Sequence, residues 1–186
     1  VGGLSILSEN ETLVLFEDLS SGGARDWSGG LPNADYPALG AIWLADPSGD
    51  ALHRDIALPD GTVRTVLSFD LIAIDDWADD ALMVAIDGTE VLRHSFTSRP
   101  NAIREAAPQT RSTGRVAQRT QLGAPRELGF ASGSPALAEE RLNVEIAVTT
   151  PGAALSLTIT PLRASDAGPV SPWAVDNLIV VAERQP

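Results

Sequence analysis

Between Val63 and Ile74 the chain alternates in the manner of a half-buried strand. Val66, Ser68, Asp70, Ile72 and Ile74 fall on one face, and Leu67, Phe69, Leu71 and Ala73 on the other. Shorter runs of the same kind recur: Thr12 to Asp18, Ala38 to Leu44, His53 to Leu58, Glu127 to Ala131, Arg141 to Val148, Ala154 to Leu162 and Trp173 to Val181. Ala81 to Ile86 and Glu90 to Phe96 flank Asp87-Gly88, a dipeptide suited to the two-residue turn of a hairpin. Pro151-Gly152 marks a second turn, and Asp46-Pro47-Ser48-Gly49-Asp50 and Pro59-Asp60-Gly61 close two more strands. A helical turn is expected only at Pro135 to Glu140. Many short strands between Gly, Pro and Asp turns predict an antiparallel β-sandwich or barrel.

One stretch breaks this rhythm. From Thr97 to Arg126 large apolar residues are scarce and six arginines gather: Arg99, Arg104, Arg111, Arg115, Arg119 and Arg126. It reads as a long excursion, residues 97–126, with a strand at Arg115 to Leu122. Its arginines are expected to fold back against the chain's own carboxylates. The rest reads as a single domain over residues 1–186, a length that buries a substantial core.

Charge and composition remove several functions. The net charge is −12, so a phosphate backbone would be repelled and nucleic acid is excluded as a partner. No apolar run is long enough for a membrane helix, so membrane insertion is not expected. The absence of cysteine removes disulfides, thiolate metal sites and thiol nucleophiles. All thirteen basic residues are arginine, a usage that suits GC-rich bacterial coding. The sequence opens at Val1 without a methionine, as a processed or cut chain would.

Candidate chemistry lies at strand ends. Leu13-Val14-Leu15-Phe16 runs into Glu17 and Asp18, and the last strand sets Asp176 into an apolar run beside Asn177. Buried carboxylates need a partner. One reading joins the first and last strands through a structural Ca²⁺ held by Glu17, Asp18 and Asp176, with the turn at Asp46 adding oxygens. The other pairs Glu17 with an arginine and gives Asp176 and Asn177 hydrogen bonds to backbone amides. A weaker second site is Asp75, Asp76 and Asp79, set against a solvated acidic loop with Trp77 tucked into the core.

Phe16-Glu17-Asp18, the glycine-rich stretch to Trp27 and the closing Trp173-Ala174-Val175-Asp176-Asn177 resemble jelly-roll modules related to galactose-binding and MAM domains of secreted and surface proteins. Ser68 to Trp77, leading to Ile86-Asp87-Gly88, is similar to their paired central strands. The resemblance implies a jelly-roll β-sandwich with a Ca²⁺ where first and last strands meet. The chain departs from it in lacking the cysteines of animal MAM domains and in the arginine-rich excursion.

Loop aromatics Trp27, Tyr36 and Trp77 are candidate ligand-binding residues, since an indole face stacks on a sugar ring. Trp27, among small residues, is expected to be exposed. His53 and His94 lie in strands, and no catalytic motif is present. The expected function is a non-catalytic binding module with Ca²⁺, exported to the bacterial surface or medium, recognising a glycan or surface protein. The alternatives are a small polysaccharide-active enzyme using a carboxylate pair and a structural adhesin or assembly domain.

Overall fold

The structure is a computed structural model, and it describes residues 7–18, 26–29, 31–36, 40–44, 51–74, 77, 80–96, 110–112, 114–121, 139–149, 151–163 and 172–185. Among these there is no α-helix. Thirteen strands run in order: β1 (Glu11–Glu17), β2 (Trp27–Ser28), β3 (Leu31–Tyr36), β4 (Gly40–Leu44), β5 (Leu52–Ala57), β6 (Thr62–Ala73) and β7 (Ala81–Ile86). They continue as β8 (Thr89–Ser95), β9 (Thr110–Ser112), β10 (Arg115–Gln121), β11 (Glu140–Thr149), β12 (Ala154–Leu162) and β13 (Trp173–Arg184).

They form the antiparallel sandwich that the alternation predicts. The larger sheet has eight strands in the order β3-β4-β13-β6-β11-β10-β9, and β1 also pairs with β13. The smaller has five, in the order β2-β5-β12-β7-β8. The chain crosses repeatedly between the two. β11 shows the underlying pattern most cleanly, because Leu142, Val144, Ile146 and Val148 are buried while Arg141, Asn143, Glu145 and Ala147 face away. In β6, Leu67, Phe69 and Leu71 are wholly buried and join the same core. From the smaller sheet Leu52, Ile56, Leu157 and Ile159 complete it. At roughly 25 cal/mol for each Å² of apolar surface removed from water, this shared core dominates the fold's stability.

Most expected strands appear within a residue or two of their predicted ends. The Asp87-Gly88 turn has both residues at positive φ, 51° and 72°, which matches the right-handed twist of β7 and β8. Two readings change. Leu31–Tyr36, expected as loop, pairs with β4. Glu139 and Glu140, expected to end a helical turn, are extended, because Glu140 opens the ladder of β11 with Ala73 of β6. The expected strand at Glu127 to Ala131 lies outside the described residues.

β13 organises the larger sheet. β6 runs along one edge, while β4 and β1 share the other, β4 at Ala174 and Val175 and β1 from Leu178 to Glu183. First and last strands therefore do meet, as the sequence suggests. Both carry an irregularity. In β13 the register with β6 shifts between Asp176 and Ile179, and Asn177 adopts φ of 54°. In β1 it shifts between Leu13 and Leu15. Each shift inserts one residue, so side chains beyond it change faces.

Candidate functional site

Glu17 ends β1 pointing into the sandwich. Its Oε1 accepts a 2.8 Å hydrogen bond from the guanidinium of Arg54 on β5, and its Oε2 accepts one of 2.8 Å from the indole Nε1 of Trp27 on β2. The same guanidinium reaches Asp26 at 3.0 Å. Glu17 and Arg54 are 8 % and 7 % exposed, so their ion pair is a buried rivet between the two sheets. Burying two charges is repaid only when geometry and further hydrogen bonds satisfy them, and here the indole and Asp26 do part of that. Glu17 thus takes the arginine partner weighed as the alternative to a cation.

On the opposite, outer face of the larger sheet lies a second polar joint. Asp176 of β13 sits directly across from Asp70 of β6, which in turn sits across from Asn143 of β11. Asp70 accepts hydrogen bonds from Arg141, from Asn143 at 3.0 Å and from the Asn177 side chain at 2.9 Å. Asp176 accepts from the Asn177 backbone at 2.8 Å and its side-chain amide at 3.2 Å. The left-handed turn at Asn177 brings its amide to both carboxylates, a conformation that asparagine tolerates better than most residues.

Among the described residues, Arg141 is the cation hydrogen-bonded to this joint. Burial pushes the Asp176 carboxyl up from 3.8 to about 6; the Asn177 amide and Arg141 oppose the rise, and the charges of Asp70 and Asp18 add to it. Asp18, exposed at the end of β1, is thus within electrostatic reach of Asp176, and the structure brings these two expected residues together while turning Glu17 away. Asp46, Asp75, Asp76 and Asp79 lie outside the described residues. Among the described residues, no three His, Asp or Glu side chains are grouped so as to hold a metal ion.

Of the loop aromatics, Trp27 is buried where exposure is expected. Trp27 is 7 % exposed and spent on Glu17. Trp77 is completely buried against Phe96, with its Nε1 donating to the Pro172 carbonyl at 2.9 Å, as the core-plug reading has it. Tyr36 belongs to β3, and its side chain is outside the description. Of the excursion's arginines, Arg115 does fold back on a body carboxylate, Asp87, at 2.9 Å.

A feature not anticipated from the sequence covers the outer face beside the joint. Leu13, Val181, Val66, Ala147 and Val116 stand side by side across β1, β13, β6, β11 and β10, one from each strand. The neighbouring row is Phe16, Ile179, Ser68, Glu145 and Gln118. Leu13 and Phe16 are 42 % and 57 % exposed, and the valines are half-buried. Val66 and Val181 carried the signal in sequence, as outward positions of long strands occupied by β-branched apolar residues. Arg141 and Asn143, the partners of Asp70, were readable only as outward polar positions.

No protein-family model matches the sequence, and no curated protein sequence matches it. Solved structures with a similar β-sandwich include the K3 cleaved adhesin domain of Lys-gingipain from Porphyromonas gingivalis, 14 % identical, with a TM-score of 0.49 over 91 % of this chain and 99 % of that one. The CBM27-1 module of Caldicellulosiruptor saccharolyticus, solved with mannohexaose, is 13 % identical, with a TM-score of 0.43 over 92 % of this chain and 97 % of that one. A family 35 carbohydrate-binding module from an environmental isolate is 10 % identical, with a TM-score of 0.40 over 92 % and 98 %.

Proposed function

We propose that the chain is a non-catalytic binding module of the bacterial surface or medium that grips a surface protein with the outer face of its eight-stranded sheet. The observation that carries this reading is the aliphatic row Leu13, Val181, Val66, Ala147 and Val116 across five adjacent strands, exposed at Leu13 and half-buried at the other four. Contiguous outward apolar positions of this kind favour a protein contact. Of the candidate sugar-stacking rings, Trp27 and Trp77 are buried, which turns the reading away from them. Carboxylate-pair hydrolysis needs access to both acids, whereas Asp70 and Asp176 are each 4 % exposed.

A structural Ca²⁺ belongs to the reading in a narrower form than the sequence suggests. Its support is that Asp176 is buried next to Asp70 with the charge of Asp18 also acting on it. These two would supply the carboxylate oxygens, backbone carbonyls and water the rest, and Glu17 would stay with Arg54. The ion would steady the junction of β1 and β13.

The test is attachment of the protein to intact bacterial surfaces, before and after protease or periodate treatment. Binding should be lost after protease, survive periodate, and fall at least about tenfold in Val66→Arg, whose side chain faces outward. Binding destroyed by periodate but not protease, or reducing sugar released from polysaccharide, would overturn the proposal.

A further inference from the structure

The eight-stranded sheet has an unusual border at β1. One edge of β1 pairs with β13 from Glu11 to Glu17, and no strand among the described residues pairs with its other edge. A bare strand edge presents a row of backbone N–H and C=O groups spaced to match another backbone. β1 contains no proline, while its register shift between Leu13 and Leu15 and its inward-pointing Glu17 are features that also shape what such an edge can accept. The register shift between Leu13 and Leu15 also alters what the edge displays. Leu13 and Phe16, three positions apart, would lie on opposite faces of a regular strand; here Leu13 stands across from Val181 and Phe16 from Ile179, both outward. Two large apolar side chains therefore flank this edge, which no strand among the described residues covers, with Val14 and Leu15 packed against the core behind them.

From this geometry we infer that β1 captures an extended polypeptide segment of a partner protein, which adds as a further strand to the eight-stranded sheet. The inference rests on the proposed binding of a surface protein and specifies how it is gripped. Backbone pairing supplies the adhesion, while Leu13 and Phe16 select apolar residues at alternate positions. Charge selects what lies beyond them. Glu9 and, in the cation-free protein, Asp18 are exposed on either side of the strand, Glu11 is held ionised by the Ser8 amide, and Glu183, which pairs with Arg64 at 3.3 Å, stands across from Glu11. The segment that fits is apolar in the middle and carries arginine or lysine at its ends. A second copy fits poorly. Antiparallel pairing of β1 with itself about Val14 sets Glu11 against Glu17, and each chain brings a net charge of −12.

The probe is a fluorescein-labelled peptide, Arg-Thr-Val-Thr-Val-Thr-Arg, with a glutamate-ended counterpart. Anisotropy should give saturable binding that weakens at high salt, falls at least about tenfold for the glutamate-ended peptide, and falls similarly in Leu13→Ser and Phe16→Ser. Both substitutions are at exposed positions and should leave the melting temperature nearly unchanged. Amide exchange of Thr12 to Phe16 should slow on adding peptide. No protection at β1, or equal binding of both peptides, would overturn the inference. So would a dimer of the unliganded protein, dissolved by Phe16→Ser, which would make the occupant a second copy. If surface attachment is lost in Val66→Arg while the peptide fails to protect β1, strand addition falls and the face reading stands.

Discussion

Asp176 and Asp70 stand directly across from one another on β13 and β6, both almost wholly buried, and only Asp70 is paired with an arginine. The pairing leaves Asp176 with the amides of Asn177 as its hydrogen-bond donors. Burial, with the charges of Asp70 and Asp18 adding to it, pushes its carboxyl up to about 6 against the opposing Asn177 amide and Arg141.

That asymmetry sets a pH dependence. The folded-state value lies above the ordinary 3.8, so the folded protein binds the proton more tightly than the unfolded chain does. The joint is therefore at its best below about pH 4, weakens as pH rises through about 6, and stays weakened above that. In chelator, Asp176→Asn should remove this decline and melt a few degrees higher than the parent at pH 8. Melting curves from pH 4 to 8 measure it; parallel profiles for parent and variant would count against the assignment.

Calcium should reverse that order. A cation bound between Asp18 and Asp176 would stabilise only the folded state, by an amount that grows with its concentration. Adding millimolar Ca²⁺ should raise the melting temperature of the parent at pH 7.5, and EDTA should return it, while Asp176→Asn and Asp18→Asn respond to neither. Identical melts with and without EDTA, together with a metal-free mass spectrum, would remove Ca²⁺ from the account.

The Glu17–Arg54 rivet predicts a severe loss when one member goes. Arg54→Met leaves a buried carboxylate with only the Trp27 indole, and should cost roughly 3–5 kcal/mol in urea unfolding. The double variant Glu17→Leu with Arg54→Met should recover much of this, since no uncompensated charge remains. A double variant as unstable as Arg54→Met alone would show that shape rather than charge matters there.

Asn177 combines a left-handed backbone with hydrogen bonds to two carboxylates, and the two roles can be separated. Asn177→Gly keeps the conformation and loses the side-chain bonds. Asn177→Val loses both and should be the less stable by roughly 1–3 kcal/mol. Denaturant midpoints decide; equal stability of the two would mean that the bulge moves without cost.

Much of the fold was legible because alternation and turn chemistry are local. Val63 to Ile74 and Asp87-Gly88 announced β6 and the β7–β8 hairpin, and carboxylates at the ends of β1 and β13 pointed to strands that meet. The partner of Glu17 was also signalled. Arg54 occupies an inward position between Leu52 and Ile56, and a charge there requires a counter-charge across the core. The outer face was illegible for a different reason. A single inserted residue in β1 moves Phe16 to the side of Leu13, and another beside Asn177 restores Leu178 to the core. Such insertions depend on pairing with distant strands, which a period-two pattern does not record. Trp27 misled because its loop composition suggested exposure, while the buried carboxylate that claims its indole lies ten positions earlier.

The place of β13 has a consequence for how the molecule comes into being. Three neighbours, β1, β4 and β6, align against a strand that is made after all of them. During synthesis β1 must wait with Leu13-Val14-Leu15-Phe16 exposed, and β6 must wait with one flank unfilled, until β13 has emerged. Pairing across such separations closes long loops and is slow. The nascent chain therefore passes through a period in which its most apolar edges are bare, when a chaperone or the wrong strand has its best opportunity to bind.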